Sequence, residues 1–189
     1  KGDVVAGILI NSYEAIALML ATTACGGVWT CCSPDFGVKG VVDRLVQVNP
    51  QFVFYSTDYR YNGTYYDCQK NISNCIKELP GVVKSIGIST YEGVNFQIPE
   101  CLPFEEFLTA FRPSDRKEGG WLLDFELMNF DDPLYILFSS GTTGVPKCIV
   151  HGVGGTLLQH KKELMLHTDI QPGDRLFFYT TCGWMMWNW

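Results

Sequence analysis

Ser139-Ser140-Gly141-Thr142-Thr143-Gly144-Val145-Pro146-Lys147 is flanked by two apolar runs, Leu134 to Phe138 before it and Cys148 to Val150 after it. The runs read as β-strands. Between them lies a loop with four hydroxyl side chains, two glycines, a proline and one lysine. Glycine lets the main chain approach a ligand closely, and proline stiffens the exit of the loop. Main-chain N–H groups and hydroxyls can donate several hydrogen bonds to an anion, to which the lysine adds a point charge on a flexible stem. The stretch therefore reads as a phosphate-gripping loop that leaves a strand of an α/β sheet, where ligands sit beyond the strand carboxyl ends. A plain Ser/Gly-rich surface hairpin is the competing reading.

Two commoner motifs do not fit. A Walker loop needs glycine before the lysine and Ser or Thr after it, whereas Pro146 precedes Lys147 and Cys148 follows. Ser139 and Ser140 lack the flanking glycines of a Gly-x-Ser-x-Gly elbow, which argues against a serine nucleophile.

At 189 residues, nearly half apolar and 18% charged, the chain can bury one sizeable core or two small ones and is too hydrophobic to stay disordered. A net charge of −6 without a Lys/Arg cluster argues against general nucleic-acid binding. The most apolar stretch, Ala15 to Trp29, is shorter than a bilayer helix and is interrupted by Thr22, Thr23, Gly26 and Gly27, so no membrane partner is expected. The chain opens on Lys1-Gly2-Asp3 without an initiator methionine or signal peptide and closes on the aromatic run Trp184 to Trp189. It reads as an internal piece of a longer protein whose missing remainder is its packing partner.

Eight cysteines form no Cys-x-x-Cys pair, and Cys68 and Cys75 fall into a helical apolar series with Ile72, Ile76 and Leu79. Cys148 and His151 make a Cys-x-x-His, yet on a strand they point to opposite faces and cannot share a metal. Reduced, buried thiols of a cytoplasmic protein are the expected state, with no metal-binding residues.

Along the chain, short apolar runs alternate with helix-like segments. Val4 to Ile10 reads as a buried strand, Ser12 as the cap of a helix from Tyr13 to Ala24, and Gly26-Gly27 as its end before a strand from Val28 to Cys31. A helix over Val38 to Val48 and a strand over Phe52 to Tyr55 follow. Thr64 with Asp67 reads as the start of the next helix, Pro80-Gly81 as its stop, and Val82 to Ile88 as a strand. Beyond Ser89 the pattern gives one helix, with Pro103 in its first turn and Phe104, Phe107 and Phe111 on one face, then polar Ser114 to Gly120 as an exposed loop. A helix over Gly155 to His167, a turn at Gln171 to Asp174 and a strand over Arg175 to Thr180 complete the reading. The fold class is α/β, a mostly parallel sheet with helices on both faces. Residues 1–88 form a βαβ-type segment, 89–132 an irregular connection, and 133–189 the phosphate-loop segment.

Tyr135 to Lys147 resembles the signature of the adenylate-forming superfamily, which includes acyl-CoA synthetases, luciferases and peptide-synthetase adenylation domains. His151 with Gly154-Gly155, and Gly183-Trp184 downstream, narrow the resemblance to the acetyl-CoA synthetase branch. Ser33-Pro34-Asp35-Phe36-Gly37, Cys148 and Trp184 to Trp189 resemble the acetoacetyl-CoA synthetase family in particular, and the similarity runs the whole chain.

The resemblance implies part of a large ATP-binding N-terminal domain of an AMP-forming acid–thiol ligase that uses acetoacetate, ATP, Mg2+ and coenzyme A and serves lipid metabolism in the cytosol. It implies that Ser139, Ser140, Gly141, Thr142, Thr143 and Gly144 hold phosphates, that Lys147 is catalytic, and that Trp184, Met185 and Met186 line the acyl pocket. Which methionine faces the pocket is open, and simple core packing is the alternative for all three. Pro34, Asp35 and Phe36 are implied to form a turn near coenzyme A, a sequence that also suits a purely structural turn. Cys148 stands where many members have glycine and Ser139 where threonine is common. The later family motifs lie beyond Trp189, so these residues alone are expected to make no acyl-adenylate. A short-chain acyl-CoA synthetase for acetate or propionate, a non-catalytic nucleotide-binding module and a partner-binding domain are the other readings.

Overall fold

The computed structural model describes residues 1–90, 94, 96, 98, 101–110, 125–139 and 144–188. Val4–Ile8 (β1) leads to Tyr13–Ala24 (α1), where Ser12 sits at φ −143° and ψ 167° and its hydroxyl accepts the Ala15 N–H at 3.4 Å. This is the expected N-cap. Val28–Cys32 (β2) follows Gly26-Gly27, then a 3-10 turn at Pro34–Phe36, Gly37–Val48 (α2) and Phe52–Ser56 (β3). A hairpin of Asp58–Tyr61 (β4) and Thr64–Asp67 (β5) precedes Gln69–Lys77 (α3). Lys84–Ile88 (β6), Cys101–Pro103 (β7), Phe104–Ala110 (α4), Pro133–Ser139 (β8), Lys147–Gly152 (β9) and Val153–Lys161 (α5) come next, with a π-turn over Lys162–His167 and a 3-10 turn over Met185–Asn188.

The main sheet has the order β7-β6-β3-β1-β2-β8-β9. All neighbours are parallel except β8 and β9, which form an antiparallel pair. Handedness explains the layers. A parallel crossover is right-handed, so α1, which moves the chain from β1 outward to β2, and α2, which brings it back past β1 to β3, must lie on opposite faces. The side chains agree: Leu9, Ala15, Leu18, Trp29, Cys31, Phe54 and Leu137 pack on one face, while Ala6, Ile8, Cys32, Val41, Leu45, Val53, Tyr55, Ile72 and Phe138 pack on the other. Adjacent residues such as Cys31 and Cys32 join opposite clusters, the period-2 alternation of a strand buried on both sides.

Several expectations give way to the tertiary structure. Thr64 to Asp67 begin no helix: Asn62 at φ 48° and Gly63 at φ 78° make a tight turn that pairs them with β4 as a two-stranded sheet. Asn-Gly is the residue pair that such a turn selects, and it outweighs the Thr64–Asp67 capping pattern. Pro103 ends β7 at the sheet edge, where its missing N–H costs no ladder bond, and the helix starts at Phe104. Arg175 to Thr180 form no strand among the described residues. Leu176, Phe177, Phe178 and Tyr179 are between 59% and 85% exposed, and among the described residues no strand lies beside this apolar segment to give it a ladder. Phe111 and the loop expected over Ser114 to Gly120 lie outside the described residues. All eight cysteines are free, but five are buried, Cys101 and Cys148 are half-buried, and Cys25 is exposed. Burial pushes the Cys32 thiol up to about 12 and the Cys75 thiol to about 11, so both are inert packing groups. Among the described residues no helix is long and apolar enough to cross a membrane.

One buried carboxylate pins the hairpin to the sheet. Asp58 is fully buried and accepts from Thr57 Oγ1 at 2.7 Å, Ser89 Oγ at 3.2 Å, Thr90 N at 3.3 Å and Thr90 Oγ1 at 2.9 Å. All four donors are neutral, so hydrogen bonding offsets the desolvation of the carboxylate. Asp58→Ala removes that shared acceptor: Thr57 stays fully buried beside the gap, while half-buried Ser89 and exposed Thr90 can turn to water. The expected loss is about 2 kcal/mol of unfolding free energy, read from urea denaturation of the variant against the parent protein.

Candidate functional site

β8 and β9 are the two arms that flank the phosphate-loop candidate. Ser139, the last residue of β8, pairs across the antiparallel ladder with Lys147, the first residue of β9. Lys147 is exposed, Pro146 is buried, and Gly144 takes φ +90°, a conformation that suits glycine. Ser140, Gly141, Thr142 and Thr143 lie outside the described residues. β2 and β8 run parallel with Trp29 opposite Tyr135 and Thr30 opposite Ile136. Carried three residues further, that register brings Ser33 level with Ser139. The turn after β2 and the hairpin after β8 therefore leave the sheet side by side, on its carboxyl edge.

The Pro34–Phe36 turn is held from within. Ser33 Oγ donates to Asp35 Oδ2 at 3.0 Å and accepts the Asp35 N–H at 3.4 Å, while Tyr59 of β4 donates to Asp35 Oδ1. Burial, reinforced by that carboxylate, raises the pKa of Tyr59, so its hydroxyl stays a donor.

The segment after Thr180 crosses this edge. Asn11 Nδ2 donates to the Thr180 carbonyl at 2.6 Å, and the buried Cys182 thiol lies 3.2 Å from the Ile10 carbonyl and 3.3 Å from Asn11 Oδ1. Gly183 then presses on the turn: a Cβ there would lie 2.4 Å from the Phe36 ring and 2.9 Å from the Ser33 nitrogen. Trp184 meets Phe36 edge to face, with centroids 6.2 Å apart at 86°. A cavity of about 250 Å³, lined by Ile10, Asn11, Ser33, Asp35, Tyr59 and Thr180, opens beside this junction. It sits where ligands bind in open α/β sheets.

The structure thus brings Pro34–Phe36 and Trp184 together, and Ser139 and Lys147 together. The acyl-pocket candidates divide. Met185 is half-buried against the core with Trp187, whereas Trp184 is 58% and Met186 49% exposed. Asn11, Tyr59 and Cys182 build the site without having been expected in it. The Asn62-Gly63 pair was the one local signal that could have drawn attention to the hairpin bearing Tyr59.

Two resemblance markers have structural work to do. His151 packs on the Tyr135 ring at 5.1 Å, and Tyr135 Oη lies 3.4 Å from His160 Nε2. Gly154 passes Phe130 so closely that a Cβ would fall 2.0 Å from its ring. Cys148 instead faces Gln47, at 3.6 Å, so it and His151 do lie on opposite sides of β9. Among the described residues no cluster of His, Cys, Asp and Glu could hold a metal ion.

The chain was compared with known proteins. The family described as AMP-binding enzyme matches residues 1–188. A malonamoyl-CoA synthetase from Penicillium aethiopicum is 47% identical over 99% of this chain and 26% of its own length. An acetoacetyl-coenzyme A synthetase from Rhizobium meliloti is 45% identical over 100% of the chain and 28% of its own. The solved structure of an acetoacetyl-CoA synthetase from Streptomyces lividans superposes with a TM-score of 0.86 at 43% identity, covering 99% of this chain and 27% of that one. The chain thus spans about a quarter of the length of these relatives.

Two outcomes follow from this geometry. Gly183→Ala forces the 183–184 backbone off the Ser33–Phe36 turn and is expected to cost about 1–3 kcal/mol in a denaturant titration. Burial lowers the pKa of His160, and burial with the neighbouring His160 charge lowers that of His151. Below 6.5, the unperturbed value, the unfolded chain therefore binds more protons than the folded one, and stability falls as pH drops until the folded histidines also titrate. Thermal melting at about pH 5 should lie below that at about pH 7.5, and His160→Gln should shrink the difference.

Proposed function

The chain belongs to the AMP-binding enzyme family, and from that membership we propose that the full-length protein is an AMP-forming acid–thiol ligase acting on acetoacetate. The carboxylate oxygen of acetoacetate attacks the α-phosphorus of ATP, the bond to the β-phosphate oxygen breaks, and pyrophosphate leaves acetoacetyl-AMP. The coenzyme A thiol then loses its proton to solvent, its sulfur attacks the acyl carbon and AMP departs with the electron pair, giving acetoacetyl-CoA. The reading rests above all on identity of 43–45% to acetoacetyl-CoA synthetases across nearly the whole chain.

Each part of the site has a physical task under this reading. Ser139 to Gly144 hold the β- and γ-phosphates through amides and hydroxyls, and the exposed Lys147 offsets the charge that grows as pyrophosphate leaves. Magnesium arrives with the ATP, and no side chain of this chain is assigned to it. Trp184 and Met186 offer apolar surface to the acyl group, with Met185 as backing, and the Pro34–Phe36 turn lies near coenzyme A. The chain forms part of the large ATP-binding N-terminal domain of a cytosolic enzyme in lipid metabolism. Its other motifs lie in the rest of the protein, so residues 1–189 alone make no acyl-adenylate.

One similarity favours a second substrate. The malonamoyl-CoA synthetase relative is 47% identical, and malonamate differs from acetoacetate only in bearing an amide NH2 where acetoacetate has a methyl. The β-carbonyl and the shape are shared. A pocket that accepts one rejects the other through hydrogen bonding: an apolar end leaves the NH2 donors unpaired, and a polar end leaves its own acceptors unpaired. AMP release by the full-length protein, measured with acetoacetate, malonamate, acetate, propionate and 3-hydroxybutyrate, tests the assignment. Acetoacetate is expected to give the highest kcat/KM, and Lys147→Ala to slow adenylate formation by about a hundredfold. Preference for malonamate moves the assignment to that acid, preference for acetate or propionate overturns it in favour of a short-chain synthetase, and ATP binding without AMP release leaves a nucleotide-binding module.

A further inference from the structure

Of the four polar residues of α2, Lys39, Asp43, Arg44 and Gln47, the last two stand three positions apart and so on one helix face, and both reach the segments that bear the site. The Arg44 guanidinium carbon lies 4.5 Å above the Phe36 ring and 6.0 Å from the Phe138 ring. Its Nη1 donates to the Gly40 carbonyl at 2.7 Å, while its buried Nε has no hydrogen-bond partner among the described residues. Beside that one carbonyl, the cation meets two aromatic faces, one from the turn after β2 and one from the end of β8. Gln47 Nε2 donates to the Pro146 carbonyl at 3.0 Å and to the Asp43 carbonyl at 2.6 Å, and its Oε1 accepts the Cys148 thiol at 3.6 Å, a long contact.

We propose that Arg44 and Gln47 are positioning residues that fix the phosphate hairpin against the Pro34–Phe36 turn, and through Phe36 against Trp184, so that the nucleotide and acyl halves of the site keep their spacing. The inference rests on the ligase reading for its kinetic consequence but not for its structural one. Contacts to two rings hold a guanidinium by its delocalised charge and leave it freer to tilt than a carboxylate fork would. An ammonium on a lysine stem is a compact, strongly hydrated point charge and keeps only part of that contact. Gln47 acts separately, holding the exit of the hairpin by its backbone, which is independent of the side chains that grip phosphate.

The test uses the full-length protein and two readouts. Hydrogen exchange of the unliganded protein is measured for Arg44→Met, Arg44→Lys and Gln47→Leu, all of which keep stem volume in the helix. Arg44→Met should speed exchange of amides at 137–139 and 183–186 by about three- to tenfold, Arg44→Lys should restore part of the protection, and Gln47→Leu should speed exchange at 147–149 while leaving 183–186 as in the parent. In steady-state kinetics, Arg44→Met should raise KM for both ATP and the acyl acid by about threefold or more, and Gln47→Leu should raise KM for ATP alone. Unchanged exchange in the named segments overturns the proposal, as does a uniform increase over the whole chain, which marks general destabilisation. A parent protein that releases no AMP with any acid sinks the ligase reading, and the exchange result still decides the positioning role.

Discussion

The arrangement depends on the double-sided burial of the central strands. Val28–Cys32 is buried at every position, and β1 and β3 send successive side chains into two different cores. Such strands cannot face water on either side, so the sheet needs a helical layer above and below. Right-handed crossovers supply both layers from one chain, because the direction of travel reverses between α1 and α2. The same reversal leaves the loops after β1 and β3 diverging at the carboxyl edge and opens a crevice there.

That edge gathers the functional candidates. The loop after β1 brings Asn11, the turn after β2 brings Ser33 to Phe36, and β8 ends in the phosphate hairpin. The chain then returns with Cys182 and Gly183 laid directly over the first two. A rigid sheet thus fixes the positions from which short turns project. α2, packed beneath, touches both the turn and the hairpin.

Much of this was legible in the sequence, for identifiable reasons. The helix from Tyr13 to Ala24 carried a serine cap at one end and paired glycines at the other, and these signals are local. The strands of the parallel sheet were readable as unbroken apolar runs, since both of their faces are covered. The two strands that flank the Ser139–Lys147 segment were likewise readable as apolar runs, and they pair as an antiparallel hairpin. By contrast, Thr64 to Asp67 fitted a helix start and formed a strand, because the Asn62-Gly63 turn determines the neighbour before the cap can act. Arg175 to Thr180 had the apolar composition of a strand, but composition cannot supply a partner, and a strand exists only as half of a pair.

The sequence by itself determined the layer type and the order of most elements, since each follows from spacing over a few positions. Only the tertiary structure decided that Phe36 meets Trp184, that Tyr59 holds Asp35, that Met185 turns inward while Met186 turns out, and that Arg44 reaches both Phe36 and Phe138. Most of those pairs are far apart in the chain, and their meeting depends on strand register and crossover hand. Neither leaves a local mark, because both are properties of how distant segments pack and not of the residues within any one of them.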